Sequence, residues 1–158
     1  MNIREATPAD VPAIRLVIRS SIEGIARDDY DSEVLLHWGK NSSKAVEMQQ
    51  EAMRTGHELT WVAIDSGVVV GFSALDPFTG TIRGVYVASE FARQQLGTAL
   101  LEKAEGRARA LDLKALSLHS TITAKQFYET HGYEVLEEVQ HTLRSGVKMT
   151  AFAMTKTL

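Results

Sequence analysis

Apolar positions along the chain follow first a helical and then an alternating period. Through residues 8–24 they recur at helical spacing, at Ile14, Val17, Ile18, Ile22 and Ile25. Thr7-Pro8-Ala9-Asp10 opens that helix with an N-cap, a proline at the first helical position and an acid in the first turn. A short strand over residues 3–5 precedes it, and residues 28–33 read as an acidic loop. A second helix is expected over 43–54, with Gly56 past its end. Strands follow: 58–64 and 68–75 flank the turn Asp65-Ser66-Gly67, and 81–88 makes the third strand of a meander. Gly84 within it predicts a bulge or a close approach. Trp61 is expected in the core. A helix over 96–111 has Leu96, Leu100, Ala104, Ala108 and Leu111 on one face. A strand over 115–118, a helix over 123–131 closed by Gly132, and strands over 133–139 and 148–154 complete the chain. The order β-α-α-β-β-β-α-β-α-β-β predicts an α/β fold, with a central mixed sheet of about six or seven strands flanked by about four helices.

Composition narrows the function classes. At 158 residues without linker or repeat, the chain reads as a single domain over 1–158. Hydrophobic residues at 44% and charged residues at 23% exclude a disordered chain. The absence of cysteine excludes disulfides, thiolate zinc sites, iron–sulfur clusters and a cysteine nucleophile. A net charge of −3 argues against coating nucleic acid. Residues 1–5 lack the apolar core of a signal peptide, and no stretch approaches the ~20 apolar residues of a membrane span. A cytoplasmic location, with no membrane or nucleic-acid partner, is the expectation. Gly-x-Ser-x-Gly, His-Glu-x-x-His and P-loop patterns are missing from the sequence. Residues 29–33 lack the glycine and closing glutamate of a calcium loop, the five histidines show no ligand spacing, and no metal is expected.

Chemistry concentrates in residues 85–101. A strand there runs through a short polar loop into a helix N-terminus, so unpaired N–H groups and the positive end of the helix dipole face one place. Such a junction suits a phosphate or pyrophosphate. Gly97 in the first turn permits close approach of an anion, and Arg93 adds a charge. Any strand-to-helix junction offers some of this, and Gly97 serves equally well for helix–strand packing.

Residues 124–133, Ala-Lys-Gln-Phe-Tyr-Glu-Thr-His-Gly-Tyr, follow about 25 residues later. Leu96-Gly97-Thr98-Ala99-Leu100-Leu101 matches the second half of one motif, and Ala124, Phe127, Tyr128, Glu129, Gly132 and Tyr133 match another. Together with the opening 3–10 and the final 154–156, in the same order, the chain resembles the GCN5-related N-acetyltransferase (GNAT) superfamily. It departs at Ala92 and Gln95, where the first motif has Gln/Arg and Gly, and at Thr121, where many members carry Asn.

The resemblance implies transfer of an acetyl group from acetyl-CoA, as co-substrate, to an amine of a small molecule or protein. The strand edge at Val85, Tyr86 and Val87 would bond the pantetheine and thioester carbonyl. Arg93, Gln94, Gln95, Leu96, Gly97 and Thr98 would cradle the pyrophosphate, and Thr121 would add one hydrogen bond. Tyr128 would stand near the sulfur as general acid. Family members often place a glutamate base on the meander strand. Arg83 occupies that place here, leaving His119 or a water chain as the base. On the acceptor side, the acids at 28, 29, 31 and 33 could attract a cationic amine, or simply form a solvated loop. Tyr30, His37 and Trp38 are candidate pocket walls. Without cysteine, transfer is expected to be direct, within one ternary complex. A non-catalytic acyl-CoA-binding module and a structural interaction domain are the competing readings, and a homodimer stays open.

Overall fold

The computed structural model describes residues 1–40 and 42–158. Its elements are β1 (Asn2–Glu5), α1 (Val11–Gly24), α2 (Ser32–His37), α3 (Ser43–Arg54), β2 (Leu59–Asp65), β3 (Val68–Asp76), β4 (Thr81–Val87), α4 (Leu96–Ala110), β5 (Ala115–Thr121), α5 (Lys125–Thr130), β6 (Glu134–Thr142) and β7 (Lys148–Thr157). Short 3-10 turns at Pro8–Asp10 and Ser89–Phe91 lead out of β1 and β4. The first is closed by Thr7 and Asp10, whose side chain accepts from the Thr7 N–H at 2.8 Å.

All seven strands join one sheet in the order β1-β2-β3-β4-β5-β7-β6. Every pairing is antiparallel except β4 with β5, so the sheet is mixed, as the element order predicts. Strand alternation splits the core between its two faces. Trp61, Ala63, Leu116, Leu118 and Met154 pack under Leu96, Leu100, Leu101, Ala104 and Ala108 of α4. Val62, Phe72, Ala74 and Met149 pack under Ile14, Val17, Ile18 and Ile22 of α1. The register of β3 against β4 shifts opposite Gly84, where Ala74 faces Gly84 and Leu75 faces Ile82. A Cβ on Gly84 would lie 2.7 Å from the Tyr86 ring, so the glycine serves both the bulge and the close approach.

Some elements differ from the sequence pattern. Ser32–His37 is helical because Asp31 caps it, accepting from the Val34 N–H at 3.0 Å. Leu111 is 39% exposed, past the end of α4, and Leu101 takes the buried place on that helix. β5 runs three residues beyond 118, because Ser120 turns to the buried α4 face while Ser117, His119 and Thr121 alternate onto the other.

Candidate active site

β4 and β5 lie side by side only at Thr81↔Ser117 and then diverge. Past that point the β5-facing backbone of β4 has no strand partner, and a cavity of about 240 Å³ opens in the gap. Its walls include Val85, Tyr86 and Val87 from β4, His119 and Thr121 from β5, Gly97 from α4 and Tyr128 from α5. The Ala88 N–H bonds back to β3 at Val70 (2.8 Å). By strand alternation the Val85 and Val87 N–H groups point the other way, into the gap. The Val85 backbone there meets the Tyr128 hydroxyl, and a donor along such an edge that lacks a contact of this kind requires a partner. An extended, amide-bearing chain laid in the gap would supply one, as would a carbonyl oxygen.

The loop between β4 and α4 ends the gap. Arg93 and Gln95 both adopt left-handed backbone, at φ 62° and 61°. Alternating left-handed residues turn successive N–H groups into one concavity, the geometry of an anion nest. Gln95 thus takes up the conformation a glycine would hold most easily, at a cost of about 1–2 kcal/mol. Arg93, Gln94 and Gln95 are exposed, whereas Leu96 is buried in the core and offers only its backbone. Gln94 is tied to the loop through its Nε2, which donates to the Glu90 carbonyl at 3.2 Å. The loop leans on α1 at Gly24, where an added Cβ would lie 2.4 Å from Ser89 Cβ, and the Ser89 N–H donates to Ser20 Oγ at 3.2 Å.

On the other side of the gap, α5 holds Tyr128 with its ring 5.2 Å from Phe127 and 5.5 Å from Tyr133. The side chain is buried, and burial pushes the phenol well above its ordinary pKa, with Tyr86 adding to the rise and the Val85 backbone opposing it. Tyr128 and Val85 thus face each other across the gap. Thr121 accepts from the Ala124 N–H at 3.1 Å, a contact that leaves its hydroxyl hydrogen for another partner. The Thr98 hydroxyl lies 3.1 Å from His131 Nε2, while His131 Nδ1 lies 2.7 Å from the Phe127 carbonyl. A carbonyl accepts only, so Nδ1 carries the proton in neutral His131 and Nε2 accepts from Thr98. Thr98 therefore ties α4 to α5 with its side chain and has its backbone N–H left for an anion.

The α1 face of the sheet carries a larger cavity of about 450 Å³ beside the gap. His119 of β5 and His141 of β6 both line it, their rings 6.3 Å apart and edge to face. A third cavity of about 260 Å³ lies beneath α1 and α3, lined in part by Arg15, Gln49 and Glu58. Trp38, Arg83 and Tyr86 line all three. Tyr86 stacks on Phe72 at 5.5 Å and accepts a hydrogen bond from the Trp38 indole. Arg83 Nη2 donates to Asp76 at 2.6 Å.

Residues 26–157 match the family model for the acetyltransferase (GNAT) domain. The chain belongs to the GNAT family. Among solved structures, it is similar to a GCN5-related N-acetyltransferase (Aminotransferase, Class-II) from Rhodopseudomonas palustris, with 28% identity and a TM-score of 0.86 over 99% of this chain and 95% of that one. The PaiA N-acetyltransferase of Thermoplasma acidophilum, solved with coenzyme A, is 17% identical with a TM-score of 0.75, over 99% and 98% of the two chains. An aminoglycoside 6'-N-acetyltransferase, also solved with coenzyme A, is 17% identical with a TM-score of 0.71, over 99% and 97%. No curated protein sequence matches the chain.

Of the residues expected on the donor side, Val85 to Val87, Arg93, Gly97, Thr121 and Tyr128 line one cavity of this GNAT fold, whereas Gln94, Gln95, Leu96 and Thr98 do not line it. The expected acceptor walls separate. Trp38 lines the three cavities described above, but Tyr30 and His37 line neither that one nor the larger one beside it. Tyr30 acts as a clamp instead: its hydroxyl donates to the Thr150 carbonyl at 2.7 Å and accepts from the Ile122 N–H at 2.8 Å. His37 ends α2, its Nδ1 buried without a partner. The acids of the 28–33 segment are occupied elsewhere. Asp29 accepts from Thr123 at 2.7 Å, Asp31 caps α2, and the Asp28 side chain is 92% exposed. His141 and Arg15 were missed because only the β7–β6 pairing and the packing of α1 bring them to the site. Among the described residues no group of three or more His, Asp or Glu side chains is arranged to hold a metal ion. Nor is any helix among them long and apolar enough to cross a membrane.

Proposed function

We propose that the protein is an N-acetyltransferase that moves an acetyl group from acetyl-CoA directly to an amine. The observation that carries the reading is the gap between β4 and β5, with donor N–H groups on one side and a buried phenol on the other. Acetyl-CoA supplies an acetyl group activated as a thioester. The Val85 and Val87 N–H groups hold the pantetheine and face the carbonyl oxygen, stabilising negative charge there as fixed donors. Arg93 and the backbone N–H groups of residues 94–98 receive the pyrophosphate at the N-terminus of α4. Thr121 donates to the pantetheine from β5.

Tyr128 keeps its proton through the working pH range because burial raises its pKa. It therefore offers a hydrogen bond to a sulfur gaining charge and a proton to the departing thiolate, which leaves as the thiol. His119 lines both the gap and the larger cavity, at the boundary where an incoming amine has to lose its proton. An alkyl ammonium of pKa ~10 is not a nucleophile until that proton leaves. The larger cavity, at about 450 Å³, suits a small-molecule acceptor.

The test is acetyl-CoA binding and turnover. Acetyl-CoA is expected to raise the melting temperature, since a ligand of the native state stabilises it. Free thiol should then appear in proportion to added amine. Stabilisation with no amine-dependent thiol across a broad amine panel would overturn the enzymatic reading, and no stabilisation at millimolar acetyl-CoA would overturn binding itself.

A further inference from the structure

The acceptor side of the site is lined mainly by basic side chains, with Glu58 in the third cavity the acid among them. Arg83 reaches all three cavities, Arg15 lines the third, and His119 and His141 line the largest. Among the described residues no carboxylate lines the two cavities that meet at His119. The nearest acids are accounted for. Asp76 is buried and holds one nitrogen of Arg83, while also accepting from the Phe78 N–H at 2.9 Å and the Thr79 N–H at 3.3 Å. Glu58, in the third cavity, accepts from Gln49 at 3.0 Å and Thr60 at 2.9 Å. Glu137 shares a cross-strand row with His119, through Ala153, but sits on exposed β6. Burial holds the Arg15 guanidinium below its ordinary pKa, and Arg144 adds to this against Tyr86 and Glu58.

Geometry gives the anion a place relative to the reacting amine. Arg83 and His119 each lie two residues past the one parallel pair, Thr81↔Ser117, and so flank the same stretch of the opening. A guanidinium has five N–H donors in a planar fork that matches a carboxylate. Asp76 fixes the fork from behind. Trp38, Met149, Ala151 and Leu136 give the cavity an apolar wall, beside the hydroxyl-bearing Thr81, Ser117 and Thr121.

We infer that the acceptor is a free amino acid with an apolar side chain: its carboxylate on Arg83, its amine at His119 and its side chain against Trp38 and Met149. This deepens the acetyltransferase reading and rests on it. A polycationic acceptor fits the same walls badly, because its extra charges would meet Arg83 in cavities where no described residue offers a lining carboxylate to pair with.

The experiment compares kcat/KM for methionine and phenylalanine with that for their carboxamides, for phenethylamine and for spermidine, by thiol release from acetyl-CoA. The free acids should exceed their amides by about tenfold or more, as expected when a charged hydrogen-bonded pair is lost. Arg83→Gln should bring the acid-to-amide ratio to within about threefold of one, and Arg83→Lys should keep part of the preference. Should Arg83→Gln fail to fold, the acid-to-amide ratio of the unaltered protein still decides. Better use of an amide, phenethylamine or spermidine, an unchanged ratio in folded Arg83→Gln, or no amino acid turned over by protein that binds acetyl-CoA would each overturn this inference alone. Failure to bind acetyl-CoA would instead overturn the acetyltransferase reading, and this inference with it.

Discussion

Removing one oxygen atom from Tyr128 separates its chemical part from its packing. In Tyr128→Phe the ring keeps its edge contacts with Phe127 and Tyr133, at 5.2 and 5.5 Å. The hydroxyl faces the β4–β5 gap beside the Val85 backbone. Stability should therefore change by about 1 kcal/mol or less, the scale of one neutral hydrogen bond. For a buried domain of this size that is about 2–4 °C of melting temperature. The rate should respond far more. A hydrogen bond to a group that becomes charged contributes about 1.5–3 kcal/mol, and each 1.36 kcal/mol is tenfold, so kcat should fall about 10- to 150-fold. Acetyl-CoA affinity should stay within a few-fold, because that charge is absent before reaction. The pH dependence has a definite sign. Burial raises the phenol above its ordinary ~10, so the Tyr128-dependent part of the rate should persist through the neutral range and disappear only above about pH 10. Thiol release at saturating amine, with calorimetry for acetyl-CoA, reads both quantities. A Tyr128→Phe enzyme within about threefold of normal kcat would refute the assignment.

Other expectations follow from the packing. Gly24→Ala places a Cβ 2.4 Å from Ser89 Cβ, with no flexible chain end to give way; melting should show a loss of about 1–3 kcal/mol, the cost of overpacking. At Gln95, φ 61° disfavours a β-branched residue but not glycine. Gln95→Val should therefore lower the melting temperature while Gln95→Gly leaves it level or raises it. Burial alone would raise the Asp76 carboxyl, but hydrogen bonds from the Phe78 N–H, Arg83 and the Thr79 N–H outweigh it and hold its pKa below the ordinary value. Its stabilisation is thus complete above about pH 4 and is lost as pH falls through the lower folded value. The melting gap between the unaltered protein and Asp76→Asn should accordingly narrow from about pH 6 to pH 3; a constant gap would contradict this.

The donor half of the site was legible in the sequence because local rules build it. A strand, a polar loop and a helix start are contiguous at 85–98, and the Phe127-Tyr128 pair sits one short helix away. At Gln95, where the motif has glycine, the chain takes up left-handed backbone without one. The acceptor half was not legible, because pairing across the sheet makes it. His119 meets His141 only through β7, inserted between β5 and β6. Arg83 reaches the cavities only because β4 and β5 diverge after a single pair. The acids at 28–33 read in sequence as either a cation trap or a solvated loop, and folding engages Asp31 as a helix cap and Asp29 as a partner of Thr123. Tyr30 looked like a wall and became a clamp on Thr150 and Ile122 because both of its hydroxyl valences are taken.

Direct transfer across the β4–β5 opening is tested most sharply by initial velocities with acetyl-CoA and the amine varied together. The chain has no cysteine to carry an acetyl group, and the cavity in the β4–β5 gap adjoins the larger one at His119 and Thr121. Intersecting double-reciprocal lines, from a complex holding both substrates, are the predicted result. Parallel lines, or thiol release that ignores the amine, would contradict it.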